Sequence, residues 1–175
     1  MHAILRFRDV MHNEPLPKAW RVVEDPLQVS DVVSIREMAA TDAEAAARLS
    51  AELGYPVSID AMRQRIENLL SLKDHALYVA CMSTTVIGWV DVGITYHLQT
   101  EPYGEIGGFV VSNEYRSRGV GRGLVAQAEQ WVAERGLTRV VVRSQIAREA
   151  AHRFYLREGY ARTKTSAVFS KQLNV

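Results

Sequence analysis

The run Arg116–Ser117–Arg118–Gly119–Val120–Gly121–Arg122–Gly123 constrains this chain more than any other stretch. Three glycines alternate with other residues. The next turns, to about Arg135, place Val120, Leu124, Val125, Ala128, Trp131 and Val132 on one helical face. Glu105 to Val111, just before the run, reads as a strand. A strand, a glycine-rich turn and a helix entrance together make an anion site. Glycine permits positive φ and close backbone approach, and the first N–H groups of a helix have no internal partner. The helix dipole adds about 0.3–2 kcal/mol per bound charge. Arg116, Arg118 and Arg122 supply cations suited to phosphate. The nucleotide-cradling pattern G-x-x-x-x-G-K-S/T is absent, and G-x-G-x-x-G fails because the third glycine arrives one residue early. Taken alone, the glycines also fit a plain turn with solvated arginines. The strand before and the helix after favour phosphate.

Around this centre the chain reads as one α/β domain. Residues 1–32 differ from the rest, with Pro15, Pro17 and Pro26 breaking any helix or central strand, and are expected to form an N-terminal arm. The domain is expected over 33–175. Val33, Ile35 and Met38 predict a short strand. Thr41 and Asp42 offer an N-cap to a helix over Ala43–Leu53, which Gly54 and Pro56 end. Asp60 to Leu72 carries helical spacing through Met62, Ile66, Leu69 and Leu70. Ala76–Met82 and Val86–Ile94 predict a hairpin. Thr138–Val142 is a β-branched strand expected to be buried on both faces, parallel to its partner across the preceding helix. Glu149–Arg157 is a short helix stopped by Gly159, and a last strand is expected over Ala161–Leu173. The order predicts a mixed, mostly antiparallel sheet with a late strand–helix–strand crossover and helices on both faces.

With those elements placed, the glycine run resembles the acetyl-coenzyme A signature of the GNAT N-acetyltransferases: Arg or Gln, two free positions, Gly, one free position, then Gly or Ala. Arg116, Gly119 and Gly121 fill it. Downstream, Ala151, Phe154, Tyr155, Gly159 and Tyr160 resemble the family's A-x-x-F-Y-x-x-x-G-aromatic helix, and the likeness spans about Val33 to Leu173. The resemblance implies that the backbone of Phe109, Val110 and Val111 pairs with the pantetheine arm. It implies that the amide of Val111 polarises the thioester carbonyl. The amides of Arg118, Gly119, Val120, Gly121, Arg122 and Gly123 would hold the diphosphate, and Arg116 would fix the loop or pair with phosphate. Tyr155 would be the general acid beside the departing sulfur, on one helical face with Arg148 and Ala151. A buried core tyrosine is the plainer reading of the same residue.

Two positions depart from the family pattern. Gly107 stands where relatives carry an acid, often the general base, so Glu105, two residues earlier on the same strand face, is the expected replacement; a solvated strand-end carboxylate is the equal alternative reading of Glu105. Arg148 stands where relatives often carry Asn, and is expected to reach the cofactor or to lie exposed. A base is wanted because an alkylamine of pKa about 10.4 costs about 4–5 kcal/mol to present neutral at pH 7.

Composition closes off other classes. With 21 Lys and Arg against 20 Asp and Glu, no global field selects nucleic acid or an anionic membrane. The five histidines show no metal-ligand spacing, and the single cysteine, Cys81, excludes a disulfide framework and reads as core. No segment approaches the roughly 20 apolar residues of a bilayer span, and a cytoplasmic location is expected. The expected activity is direct transfer of acetyl from acetyl-coenzyme A to a primary amine of a small molecule, without a metal. A protein amine acceptor and a non-catalytic acyl-coenzyme A binding module are the alternatives. Apolar residues of the expected final strand could pair with a second copy to form a homodimer. Tyr96 with His97, the loop Gln99–Gly104 and Tyr55 are candidate borders of an acceptor pocket, with exposed loop residues the plainer reading of Tyr96 and His97; Asp91 with Trp89 is a candidate pair for shaping substrate selectivity.

Overall fold

The computed structural model describes residues 32–173, so the arm expected over 1–32 lies, apart from Val32, outside the described residues. The elements run β1 (Val33–Glu37), α1 (Ala43–Glu52), α2 (Ile59–Leu70), β2 (His75–Met82), β3 (Thr85–His97), β4 (Thr100–Val111), α3 (Val120–Ala133), β5 (Val140–Val142) and α4 (Glu149–Arg157). The five strands lie in the order β1-β2-β3-β4-β5. All neighbours are antiparallel except β4 and β5, which are parallel and joined through α3.

Alternation along the strands feeds two apolar layers. On one face Val90, Val92, Ile106 and Val111 pack against Leu124, Val125, Ala128 and Val132 of α3. On the other, Leu77, Val79, Cys81 and Val110 lie beneath Leu49 of α1 and Ile66 of α2. All six apolar positions expected on the α3 face are buried. Asp42 stands at the N-cap of α1 but turns its carboxylate backward. Oδ2 accepts from the Ala39 amide at 2.8 Å, and Arg36 grips both oxygens at 2.7 Å. Ser58 caps α2 by accepting from the Ala61 amide at 3.2 Å.

Three expectations are corrected. The stretch 99–104 is not a loop: β4 starts at Thr100, with Thr95 opposite Tyr103 and His97 opposite Thr100. Pro102 hid this, because it lacks an N–H, and it falls where the register is irregular. Second, β5 is an edge strand of three partly buried residues, not one covered on both faces. Third, residues 160–173 form no strand: Val168 and Phe169 are 91% and 92% exposed. Their strand-favouring composition is local, whereas a ladder needs a neighbour to accept its hydrogen bonds.

The feature that matters most for function is where β4 leaves β5. Their pairing covers only Gly104–Ile106 against Val140–Val142, so β4 runs on from Gly107 to Val111 with an edge that is free among the described residues. A bulge falls at the same place. Val92 faces Ile106 and the adjacent Asp91 faces Gly108, leaving Gly107 as the extra residue.

Candidate active site

The parting of β4 from β5 opens a cavity of about 1090 Å³, bordered by the free edge of β4, the segment after β5, the loop before α3 and the inner face of α4. Backbone direction along β4 determines what it presents there. The Ser112 amide donates to the Ile87 carbonyl at 2.9 Å, so residue 112 points toward β3. By alternation Val111 and Phe109 turn their polar groups into the cavity, and Val110 turns its own toward β3. Of the three strand residues singled out in the sequence, two therefore face the cavity with their backbone. Val110 lines it from behind and buries its side chain under α1 and α2.

The loop that follows has a shape only its sequence allows. Arg116 Nε donates to the Val111 carbonyl at 3.3 Å, which fixes the turn. Ser117 and Gly119 both have positive φ, at 62° and 83°. Gly119 is the N-cap of α3, and the first helical bond runs from the Gly123 amide to its carbonyl at 3.1 Å. The amides of Val120, Gly121 and Arg122 precede that bond, so they have no intrahelical acceptor. Gly121 has a packing reason as well. A β-carbon there would lie 3.1 Å from Phe109 Cζ and 3.2 Å from Phe154 Cε2, two rings stacked at 5.4 Å. Arg122 bridges to Glu158 beyond α4 at 2.9 Å and holds that carboxyl below its ordinary range. Arg118 lies over the Tyr115 ring at 5.5 Å.

On the far wall, Arg148, Ala151 and Tyr155 all line the cavity, as one helical face requires. Tyr155 sits among Phe109, Phe154 and Tyr160, with ring centroids 5.3–6.3 Å away. Burial pushes its phenol up to about 12, with the Arg148 charge pulling the other way. Arg148 reaches across the opening: Nη2 donates to the Leu53 carbonyl at 2.9 Å. Beside it, Gln145 Nε2 donates to the Tyr55 hydroxyl at 3.2 Å. These two bonds tie the start of α4 to the end of α1. Gln145 carried no sequence signal, because its partner is 90 residues away.

Glu105 is engaged elsewhere. Arg143 Nε donates to Oε1 at 2.6 Å and the Thr95 hydroxyl donates to Oε2 at 3.2 Å. It does not line the cavity, whereas Gly107 and Gly108 do. The place left by Gly107 is filled from the neighbouring strand. A β-carbon on Gly107 would run into Asp91 Oδ1, and one on Gly108 would lie 2.7 Å from Asp91 Oδ2. Burial pushes the Asp91 carboxyl up to about 6, against the opposing pull of the Gly108 amide, the His75 charge and the Gly107 amide. Two residues back on the same strand face, the Trp89 indole Nε1 is buried without a hydrogen-bond partner among the described residues. His97 and Tyr103 pair with each other at 3.1 Å, toward the hairpin end of the sheet. Among the described residues, no helix is long and apolar enough to cross a membrane.

A parted parallel strand pair, an arginine-braced turn and an open helix mouth enclose one cavity. The acetyltransferase (GNAT) family matches residues 39–160, and the chain belongs to that family. It is 34% identical over 113 residues to an aminoalkylphosphonate N-acetyltransferase of Salmonella typhimurium, a match covering 64% of this chain and 71% of that one. It is 24% identical over 150 residues to an aminoglycoside N(6')-acetyltransferase type 1 of Stenotrophomonas maltophilia, covering 83% and 97%. An aminoglycoside 6'-N-acetyltransferase structure from Acinetobacter baumannii shares the fold at a TM-score of 0.72 and 22% identity, over 82% of this chain and all (100%) of that one. An aminoglycoside N-acetyltransferase solved in complex with CoA shares it at 0.74 and 22% identity, over 82% and 97%.

Proposed function

We propose that this enzyme transfers acetyl from acetyl-coenzyme A directly to a primary amine of a small molecule, within one complex and without an acyl-enzyme. The observation that carries the reading is the cavity itself. One side is the free backbone edge of Phe109 and Val111; its mouth is the Gly119 turn, and its far wall carries Tyr155. The donor set suits a diphosphate joined to a thin amide arm. The amides of Val120, Gly121 and Arg122 have no intrahelical acceptor, and Gly121 and Arg122 line the cavity beside Gly119, whose β-position is open space. A strand edge lies beyond them. That the relatives act on aminoalkylphosphonates and aminoglycosides supports a small amine as acceptor.

Bound there, acetyl-coenzyme A supplies the activated acetyl group. The turn over 118–123 holds the diphosphate through backbone N–H groups, Arg122 adds charge, and Arg116 keeps the turn rigid by holding the Val111 carbonyl. The Val111 amide donates toward the carbonyl oxygen that gains charge. Tyr155 donates at Oη to the departing sulfur. Full transfer from a phenol at about 12 to a thiolate of ordinary value near 8.5 is uphill by about 5 kcal/mol. Its contribution is therefore a hydrogen bond that strengthens as charge builds. The proton crosses only as one released by the acceptor nitrogen refills the oxygen. Arg148, whose charge favours the phenolate, eases that relay.

Titration of acetyl-coenzyme A by calorimetry, followed by thiol-release assays across alkylamines, aminoalkylphosphonates and aminoglycosides, tests the reading. Micromolar binding and amine-dependent release are expected. No binding at high micromolar concentration would overturn it, and binding with hydrolysis alone would favour the binding-module alternative.

A further inference from the structure

We propose that Asp91, reaching from β3 across Gly107 and Gly108, receives the acceptor's ammonium group and takes from it the proton that must leave before nitrogen can attack. The inference rests on the acetyl-transfer reading and names the proton acceptor of that same site. Geometry carries it. β4 offers no side chain at the bulge, and the two β-carbon positions it lacks are those crowded by the Asp91 oxygens. Gly107 and Gly108 line the cavity; Asp91 is not itself a lining residue, and its carboxylate stands behind that wall in the space a β-carbon on either glycine would take.

Two titratable groups face Asp91. From β2, His75 faces Asp91, and its ring is hydrogen-bonded to Asp74 at 3.2 Å. From β4, Glu105 adds negative charge that Arg143 of the β5 side largely neutralises at 2.6 Å. No arginine or lysine is paired to Asp91 among the described hydrogen bonds, in contrast to Glu105, Asp42 and Glu158. Chemically the step balances. Asp91 takes one proton from R–NH3+, nitrogen forms the N–C bond as C–S breaks, and sulfur gains a proton through Tyr155. The second nitrogen proton refills Tyr155, and Asp91 returns its proton to water.

The experiment compares Asp91→Asn with Glu105→Gln in the full chain. Propylammonium chloride is titrated into 15N-labelled protein, and the amide resonances of Gly107 and Gly108 are followed. They should shift in the wild type and in Glu105→Gln, and stay fixed in Asp91→Asn. Calorimetry should give acetyl-coenzyme A affinities within about twofold of wild type in both variants. With the amine that turns over best, kcat/KM should fall about 100-fold or more in Asp91→Asn, with loss of the acid limb near pH 6. A titration and acid limb that survive in Asp91→Asn, or vanish instead in Glu105→Gln, would overturn the assignment. If Asp91→Asn does not fold, Asp91→Gly combined with Gly107→Asp returns a carboxylate to the same space from the other strand. That double variant should recover at least about a tenth of the rate, and a folded one with no activity would contradict the proposal. Failure of acetyl-coenzyme A to bind the wild type removes the parent reading alone, because the amine titration judges Asp91 separately.

Discussion

At the residue scale, the groups proposed for the proton transfers are also those that burial holds away from their ordinary values. Asp91 has a folded value of about 6, raised above its ordinary 3.8 by burial. A raised carboxyl binds more protons when folded than when unfolded between those values. Stability therefore falls as pH rises through that window, and the penalty persists above it. Asp91→Asn should stabilise the protein at pH 8 by as much as roughly 3 kcal/mol, with the gain gone near pH 4. Paired melting curves at the two pH values check this, and an equal difference at both would contradict it. Asp42 runs the opposite way. Arg36 holds it low, so its stabilisation is present above the ordinary value and is lost as pH falls through the lowered one. Tyr155→Phe removes only the donor at Oη. Turnover should drop about 10- to 100-fold while acetyl-coenzyme A affinity, measured by calorimetry, stays within about twofold.

At the element scale, the turn before α3 is the most sensitive part. Gly119 lies at φ 83°, where a β-carbon is strained whatever the space around it. Gly119→Ala should cost about 1–2 kcal/mol in denaturant unfolding and weaken acetyl-coenzyme A binding. Gly123→Ala meets only Ile35 Cδ1, a movable side-chain end, and should affect binding less. Much of this was legible from sequence. The α3 face and the Arg148–Ala151–Tyr155 row follow from helical spacing, and both lie where it put them; the bracing role of Arg116 was marked only by the family motif. What was illegible depends on partners distant in sequence. Pro102 disguised the start of β4. The bulge that isolates Gly107 is a property of the β3–β4 register, so the sequence marked Asp91 only as a candidate for shaping substrate selectivity. Thr163 to Phe169 has strand composition with no neighbour among the described elements.

At the scale of the molecule, the cavity divides the sheet at β4, with β5 and α4 on its far side, joined by only three paired positions. Arg148 to Leu53 and Gln145 to Tyr55 close the opening from the other direction. A cosubstrate spanning the cavity should therefore tighten α4 more than β2. Hydrogen exchange with and without coenzyme A should show the largest slowing over 145–157, and uniform slowing would argue for binding elsewhere. With a formal net charge of +1, attraction over distance is weak, so affinity must come from the local turn. A crystal structure with coenzyme A bound tests that turn most directly. The account predicts the diphosphate on the amides of Val120, Gly121 and Arg122, with the arm along Phe109 and Val111. A diphosphate bound away from the mouth of α3, or an arm that bypasses the free edge of β4, would contradict it.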